Sequence, residues 1–287
     1  MKNFYLFFCL SLLNLGAMAQ KLPDVQVASM PAPATIRIDG KASDWNDTYA
    51  AENKRTAIFY SMANDDKNLY LIVKAVDATK IMAGGLTFLI NTQGKKRDKD
   101  AMSVTYPLIN RANRTQGARG QGGQRQGGFQ NRAQQTQQQR DSANLVLHKQ
   151  QLAGVKEIKV AGFKSIPDSL VSIYNEYGLK AVASFDQSGA YVYELAIPLS
   201  LLDINVADAK ELAYQIKLNG LSNMGFGGNA GFGGGGAGGF GGARGGFGGG
   251  AAGGRAGGAG FGGGAGSNMQ DLMNATDFWG KYTLYKK

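Results

Sequence analysis

Residues 57–77 read AIFYSMANDDKNLYLIVKAVD. Two runs rich in aromatic and β-branched residues, 57–62 and 69–76, flank the polar cluster Asn64-Asp65-Asp66-Lys67-Asn68. Strand-forming segments joined by a short connection whose Asn and Asp side chains satisfy the turn backbone predict a β-hairpin. In the second run Leu69, Leu71, Val73 and Ala75 point one way, and Tyr70, Ile72, Lys74 and Val76 the other. Both faces are largely apolar, so this strand is expected to lie centrally in a sheet with something packed over each side.

Outward from the hairpin, strand signals recur along the chain. Upstream, residues 20–35 carry Pro23, Pro31 and Pro33 and read as an extended lead-in, followed by a short strand at 36–38 and a turn at Asp39-Gly40. Downstream, 86–91 and 102–108 read as strands around a charged turn, and 155–163 as another. Order is expected to resume at 145–148, also as a strand, and Pro167-Asp168 to open a short helix ending near Gly178. Residues 179–185 and 191–197 read as a second hairpin around Asp186-Gln187-Ser188-Gly189. Residues 212–219 alternate apolar with polar or small residues, which predicts one wet face, and 277–285 form an aromatic closing strand.

Two segments break this pattern. Residues 110–140 hold ten Gln, six Gly and six Arg, with Phe129 the only large hydrophobe. Residues 225–266 are glycine at 26 of 42 positions, with five phenylalanines spaced through them. Neither can bury enough apolar surface to offset chain entropy, so both are expected to be disordered inserts. Strand patterning continues beyond each, which makes them loops of a single domain spanning 20–287. No βαβ alternation is visible. The expected fold is all-β, an antiparallel β-sandwich of the immunoglobulin or jelly-roll kind.

At the start, Lys2, an apolar run over 4–15 and Ala17-Met18-Ala19 compose a secretory signal peptide cleaved after Ala19. The run is shorter than the roughly 20 residues that a membrane span needs, and no other candidate span follows it. Cys9, the sole cysteine, lies inside that segment, so the mature chain has neither disulfide nor thiol chemistry. The expected location is secreted: periplasmic, cell-surface or extracellular in a bacterium.

Net charge is +10, but eight arginines sit in the two inserts, which contain no acid. Setting these and Lys2 aside from the 31 basic residues leaves 22 against 21 acids, so the folded body is nearly neutral. Basicity of the whole chain is therefore no argument for nucleic-acid binding.

Ile38-Asp39-Gly40 with Trp45, then Asn64-Asp65-Asp66-Lys67-Asn68-Leu69-Tyr70-Leu71, then Tyr193-Glu194-Leu195-Ala196-Ile197-Pro198-Leu199, resemble the family 9 carbohydrate-binding modules and the wider DOMON-like sandwich superfamily. The resemblance covers most of the chain outside the inserts. It implies a non-catalytic glycan-binding sandwich, in which sugar-binding members clamp a terminal sugar between two tryptophan faces and some carry structural calcium. Here Trp45 and Trp279 fall where the family's aromatics are structural, so Trp279 is expected to be core. The superfamily also includes haem-binding modules with Met and His or Lys ligands. The only histidine here is His148, which has no marked methionine partner.

Nucleophilic catalysis needs a nucleophile beside a base, and a chain with no mature cysteine and one histidine is not expected to be an enzyme. Glu194 is a lone carboxylate on an apolar strand, so it reads either as a strand-surface charge or, with neighbouring Tyr193, as a polar anchor for a ligand. Asp39, Asp44, Asp65 and Asp66 offer oxygens to calcium without the spaced pattern of a dedicated loop, and turn chemistry explains them better. No cofactor is expected. Arg111, Arg114, Arg119, Arg125, Arg132 and Arg140 are spaced along an acid-free segment that suits a polyanion held through its charge. Two functions thus compete: glycan binding at the cell envelope, and a structural or adhesive envelope protein whose inserts self-associate or bind polyanions. A haem module is third.

Overall fold

The computed structural model describes residues 21–109, 136–208, 210–221 and 271–286. Among them, β1 (Ala51–Asn53), β2 (Ile58–Asn64), β3 (Asn68–Ala75), β9 (Tyr191–Pro198) and β8 (Lys180–Phe185) form one sheet in that order. The second sheet runs β11 (Thr276–Thr283), β10 (Glu211–Leu218), β4 (Leu86–Asn91), β5 (Met102–Tyr106), β6 (Glu157–Ala161) and β7 (Leu170–Ser172). Every strand pairing is antiparallel, and the two sheets enclose the main core. The chain is an all-β antiparallel sandwich, as its sequence predicts.

The hairpin that decides this fold is β2–β3. Asp65 closes it: its Oδ1 accepts the amides of Lys67 and Asn68, both at 2.7 Å, and its Oδ2 accepts the Tyr70 hydroxyl at 2.8 Å. Strand β3 lies between β2 and β9, in a central place. Its inner residues Leu69, Leu71, Val73 and Ala75 join the main core. Tyr70 and Ile72 are buried on the outer side against Trp45, Ala42, Val192 and Ala196. Both faces are apolar because both are covered.

The cover on the outer side is the lead-in and the stretch that follows it, from which Met30, Ala32, Ile36, Ile38 and Tyr49 pack over the sheet. Residues 36–38 are not the expected strand. They lie flat on a sheet face, where no strand edge is available to pair with, and Ala42–Trp45 follows as a 3-10 turn.

Three other expectations change. The segment at 145–148 belongs to α2 (Gln137–Ala153), so the second half of the chain resumes as helix and not as strand. Thr136 and Gln139 form a reciprocal capping box, which starts that helix inside the span expected to be disordered. Residues 167–177 hold β7 and turns instead of a helix, with the Ser172 hydroxyl and Asn175 side chain bonding nearby backbone. Strand β10 has no continuous wet face: Ala213 and Gln215 are buried, and Gln215 donates to Asp277 at 2.7 Å. A short helix α1 (Thr79–Gly84) links β3 to β4.

Strands β10 and β11 pair over eight positions, Glu211↔Thr283 to Leu218↔Thr276. The glycine-rich span at 225–266, the arginine-bearing stretch through residue 135 and the signal segment at 1–19 lie outside the described residues. Among the described residues no helix is long and apolar enough to cross a membrane.

A candidate binding cleft beside the closing strand

Strand β11 alternates. Phe278 and Tyr282 enter the main core, with Gly280 between them. Glycine is required there because the Tyr214 ring lies against the backbone: a Cβ at 280 would stand 2.2 Å from Tyr214 Cζ. The opposite set, Asp277, Trp279, Lys281 and Thr283, faces outward by the two-residue period of a strand. Trp279 is therefore only half-buried, not the core residue expected.

Lead-in residues 25–29 face this strand, and between them lies a cleft of about 610 Å³. Trp279, Lys281 and Thr283 line one side, with Glu211 and Lys96 beside them. Its walls are joined through a buried polar network. The Gln26 side chain clamps β2, accepting the Met62 amide at 2.6 Å and donating to the Met62 carbonyl at 2.8 Å. The Gln26 amide donates to the Tyr60 hydroxyl at 2.9 Å, which is hydrogen-bonded in turn to the Tyr214 hydroxyl at 2.8 Å. The Tyr282 hydroxyl donates to Asn64 Oδ1 at 3.1 Å. Burial pushes the Tyr282 hydroxyl up to about 12, although the Met30 backbone acts the other way. These phenols stay neutral and hold the lead-in where it forms a wall.

Within the cleft, Lys281 pairs with Glu211 at 2.5 Å. Thr283 and Ser29 add hydroxyls, and the backbone of 25–29 adds amides and carbonyls. The site thus brings a half-buried indole together with polar groups in a cleft open to solvent. Other clefts exist among the described residues. One of about 470 Å³ lies under Pro31, Pro33, Asp65, Tyr70 and Tyr285, and one of about 420 Å³ lies beside the end of α2. Neither presents an indole.

The sequence-derived candidates lie elsewhere. Glu194 is fully buried on the outer face of β9. Its Oε2 accepts the amides of Asp39 and Gly40 at 2.9 and 2.8 Å, and its Oε1 accepts the Trp45 indole N–H at 2.9 Å. Burial raises its pKa above the ordinary carboxylate range despite these three donors. The Ser184 hydroxyl donates to the Gly40 carbonyl at 2.7 Å, so the Asp39-Gly40 turn is stitched to β8 and β9 together. Gly40 takes a positive φ of 78°, with β8 backbone within 3.2 Å of where a side chain would begin. Glu194 holds the cover onto the sheet.

Tyr193 faces the opposite way, fully buried and stacked on Tyr106 with ring centres 6.0 Å apart. Glu194 and Tyr193 therefore do not converge. Arg140 is exposed on the first turn of α2, and the other five arginines lie outside the described residues. His148 stacks on Phe185 from the middle of α2. Asp39 and Asp44 accept the amides of Lys41 and Arg37, which is turn chemistry. Among the described residues no group of three or more His, Cys, Asp or Glu could hold a metal ion.

No protein-family model matches this chain, and no curated protein does. Matches among solved structures include a family 9 carbohydrate-binding module from Caldicellulosiruptor kristjanssonii in complex with glucose. It shares 10% identity at a TM-score of 0.31, over 67% of this chain and 77% of that one.

Proposed function

We propose that this is a secreted, non-catalytic glycan-binding protein of the cell envelope, and that Trp279 is the platform for a sugar ring. The observation that carries the reading is the half-exposed indole of Trp279 in a polar-rimmed cleft. A pyranose has an apolar C–H face and a hydroxyl rim. An aromatic face satisfies the first, and hydroxyls, backbone groups and charged side chains satisfy the second. The other tryptophan, Trp45, is 5% exposed and committed to Glu194, so it is no second platform. One open face suits an internal or side-on sugar better than a clamped terminal one. A glycan array probed with the parent and with Trp279→Ala tests this. Retention by the parent and loss in a folded variant supports it, and equal retention by both refutes it.

A further inference from the structure

We infer that the ligand of this cleft carries an acidic substituent, a carboxylate or sulfate on the sugar, and that Lys96 is the residue that recognises it. The inference rests on the glycan reading of the cleft. Three ionisable side chains line it: Lys96, Glu211 and Lys281. Glu211 and Lys281 neutralise one another. Among the described residues no carboxylate lies within ion-pair reach of Lys96. The cleft therefore carries one uncompensated positive charge, in a folded body that is otherwise nearly neutral.

The backbone holds Lys96 at the cleft and does not leave it on a free arm. Buried Asn91 organises the β4–β5 connection: its Oδ1 accepts the Gln93 amide at 2.9 Å, and its Nδ2 donates to the carbonyls of Arg97 at 3.3 Å and Lys99 at 3.2 Å. Gly94, at φ 70°, lies against Glu211, whose carbonyl oxygen is 2.9 Å from where a Cβ would stand. The Arg97 amide then donates to the Lys95 carbonyl at 2.8 Å, an i to i+2 bond with Lys96 at the centre of the turn. The connection is pressed onto β10, and its tightest bend presents Lys96 beside Trp279. A neutral sugar can accept a hydrogen bond from that ammonium but leaves its charge uncompensated. An acidic ring stacked on the indole gains a charge-assisted hydrogen bond.

The test uses full-length mature protein, in the parent and in a variant with Arg111, Arg114, Arg119, Arg125, Arg132 and Arg140 all changed to Gln, so that the arginine segment cannot mask the cleft. Probes are paired by charge: polygalacturonate with its methyl ester, and dextran sulfate with dextran. Binding is read at fixed moderate salt. Expected is tighter binding of one acidic probe than of its neutral partner in both backgrounds. Lys96→Gln then weakens the acidic probe about fivefold to tenfold and leaves the neutral one within about twofold, while Lys96→Glu reverses the preference. Whichever acidic probe shows the effect separates carboxylate from sulfate. Equal effects of Lys96→Gln on both members of each pair, or no acidic preference in the arginine-free background, overturn the inference. Trp279→Ala keeps the two failures apart. If it abolishes binding while Lys96→Gln shows no charge dependence, the glycan cleft stands and the acidic assignment falls. If it leaves binding intact, the cleft reading falls too.

Discussion

Replacing Glu194 by Gln removes one oxygen from a carboxylate whose two oxygens serve three donors. If the remaining amide oxygen accepts the Asp39 and Gly40 amides, the new NH₂ faces the Trp45 indole N–H, donor against donor. If the amide flips, the two backbone donors are stranded instead. A buried donor left without a partner costs about 1–3 kcal/mol. The first arrangement strands two groups, which places the loss at about 2–4 kcal/mol. Relief of the cost of burying a charge, which already raises the pKa of Glu194, favours the low end. Urea unfolding at pH 7 measures the loss, and a cycle with Trp45→Phe isolates its origin, because that change removes the opposing N–H. In the Trp45→Phe background Glu194→Gln should cost about 1 kcal/mol or less. Glu194→Gln within 0.5 kcal/mol of the parent, or an equal cost in both backgrounds, would refute the tie between carboxylate, turn and indole.

Three further outcomes follow from the same geometry. Tyr193→Phe deletes a fully buried hydroxyl that has no hydrogen-bond partner among the described residues, so thermal unfolding should show it neutral or stabilising by up to about 1 kcal/mol; a clear loss would mean the hydroxyl is satisfied. Gly280→Ala drives a methyl into the Tyr214 ring and should destabilise by roughly 2–4 kcal/mol in the same assay, with an unperturbed melt arguing against that packing. Burial pushes Asp186 up, but the Ser188 hydroxyl, Lys74 at 2.9 Å and the Ala190 amide outweigh it and hold its pKa down to about 2. A folded value below the unfolded one, near 3.9, lends stability above that value that is lost as pH falls toward 2. After allowance for solvent screening, Asp186→Asn should lie about 1 kcal/mol below the parent at pH 7 and level with it near pH 2; a constant difference across that window would point to a cause other than the ionised carboxylate.

What the chain discloses by itself depends on how local the cause is. The β2–β3 hairpin was legible because turn residues and two apolar faces lie within 21 residues. Helix α2 was hidden by composition: Gln and Arg propagate helices well, yet in a run of repeats they look like filler, and the capping pair Thr136 and Gln139 was the signal to weigh. Residues 36–38 have strand composition, but whether a β-branched stretch pairs depends on a free edge that sequence does not show. Glu194 stood out as a lone carboxylate on an apolar strand. Its partners lie about 150 positions upstream, so local sequence cannot tell a ligand anchor from an internal tie. For Trp279 the local pattern was the better guide. Its alternation with Lys281 and Thr283 points outward, and the structure follows that pattern over the expectation drawn from family resemblance. Lys96 had no motif at all, because its place comes from a turn folded against a strand more than 100 residues away.

The most direct measurement is intrinsic tryptophan fluorescence of the Trp45→Phe protein, in which Trp279 is the only indole, titrated with a glycan retained on the array. A sugar stacked on Trp279 displaces water from the ring and should shift its emission to shorter wavelength, saturating at the concentration at which binding saturates by calorimetry. Binding that saturates by calorimetry while the emission of Trp279 stays unchanged would place the ligand elsewhere and contradict the assignment of this cleft.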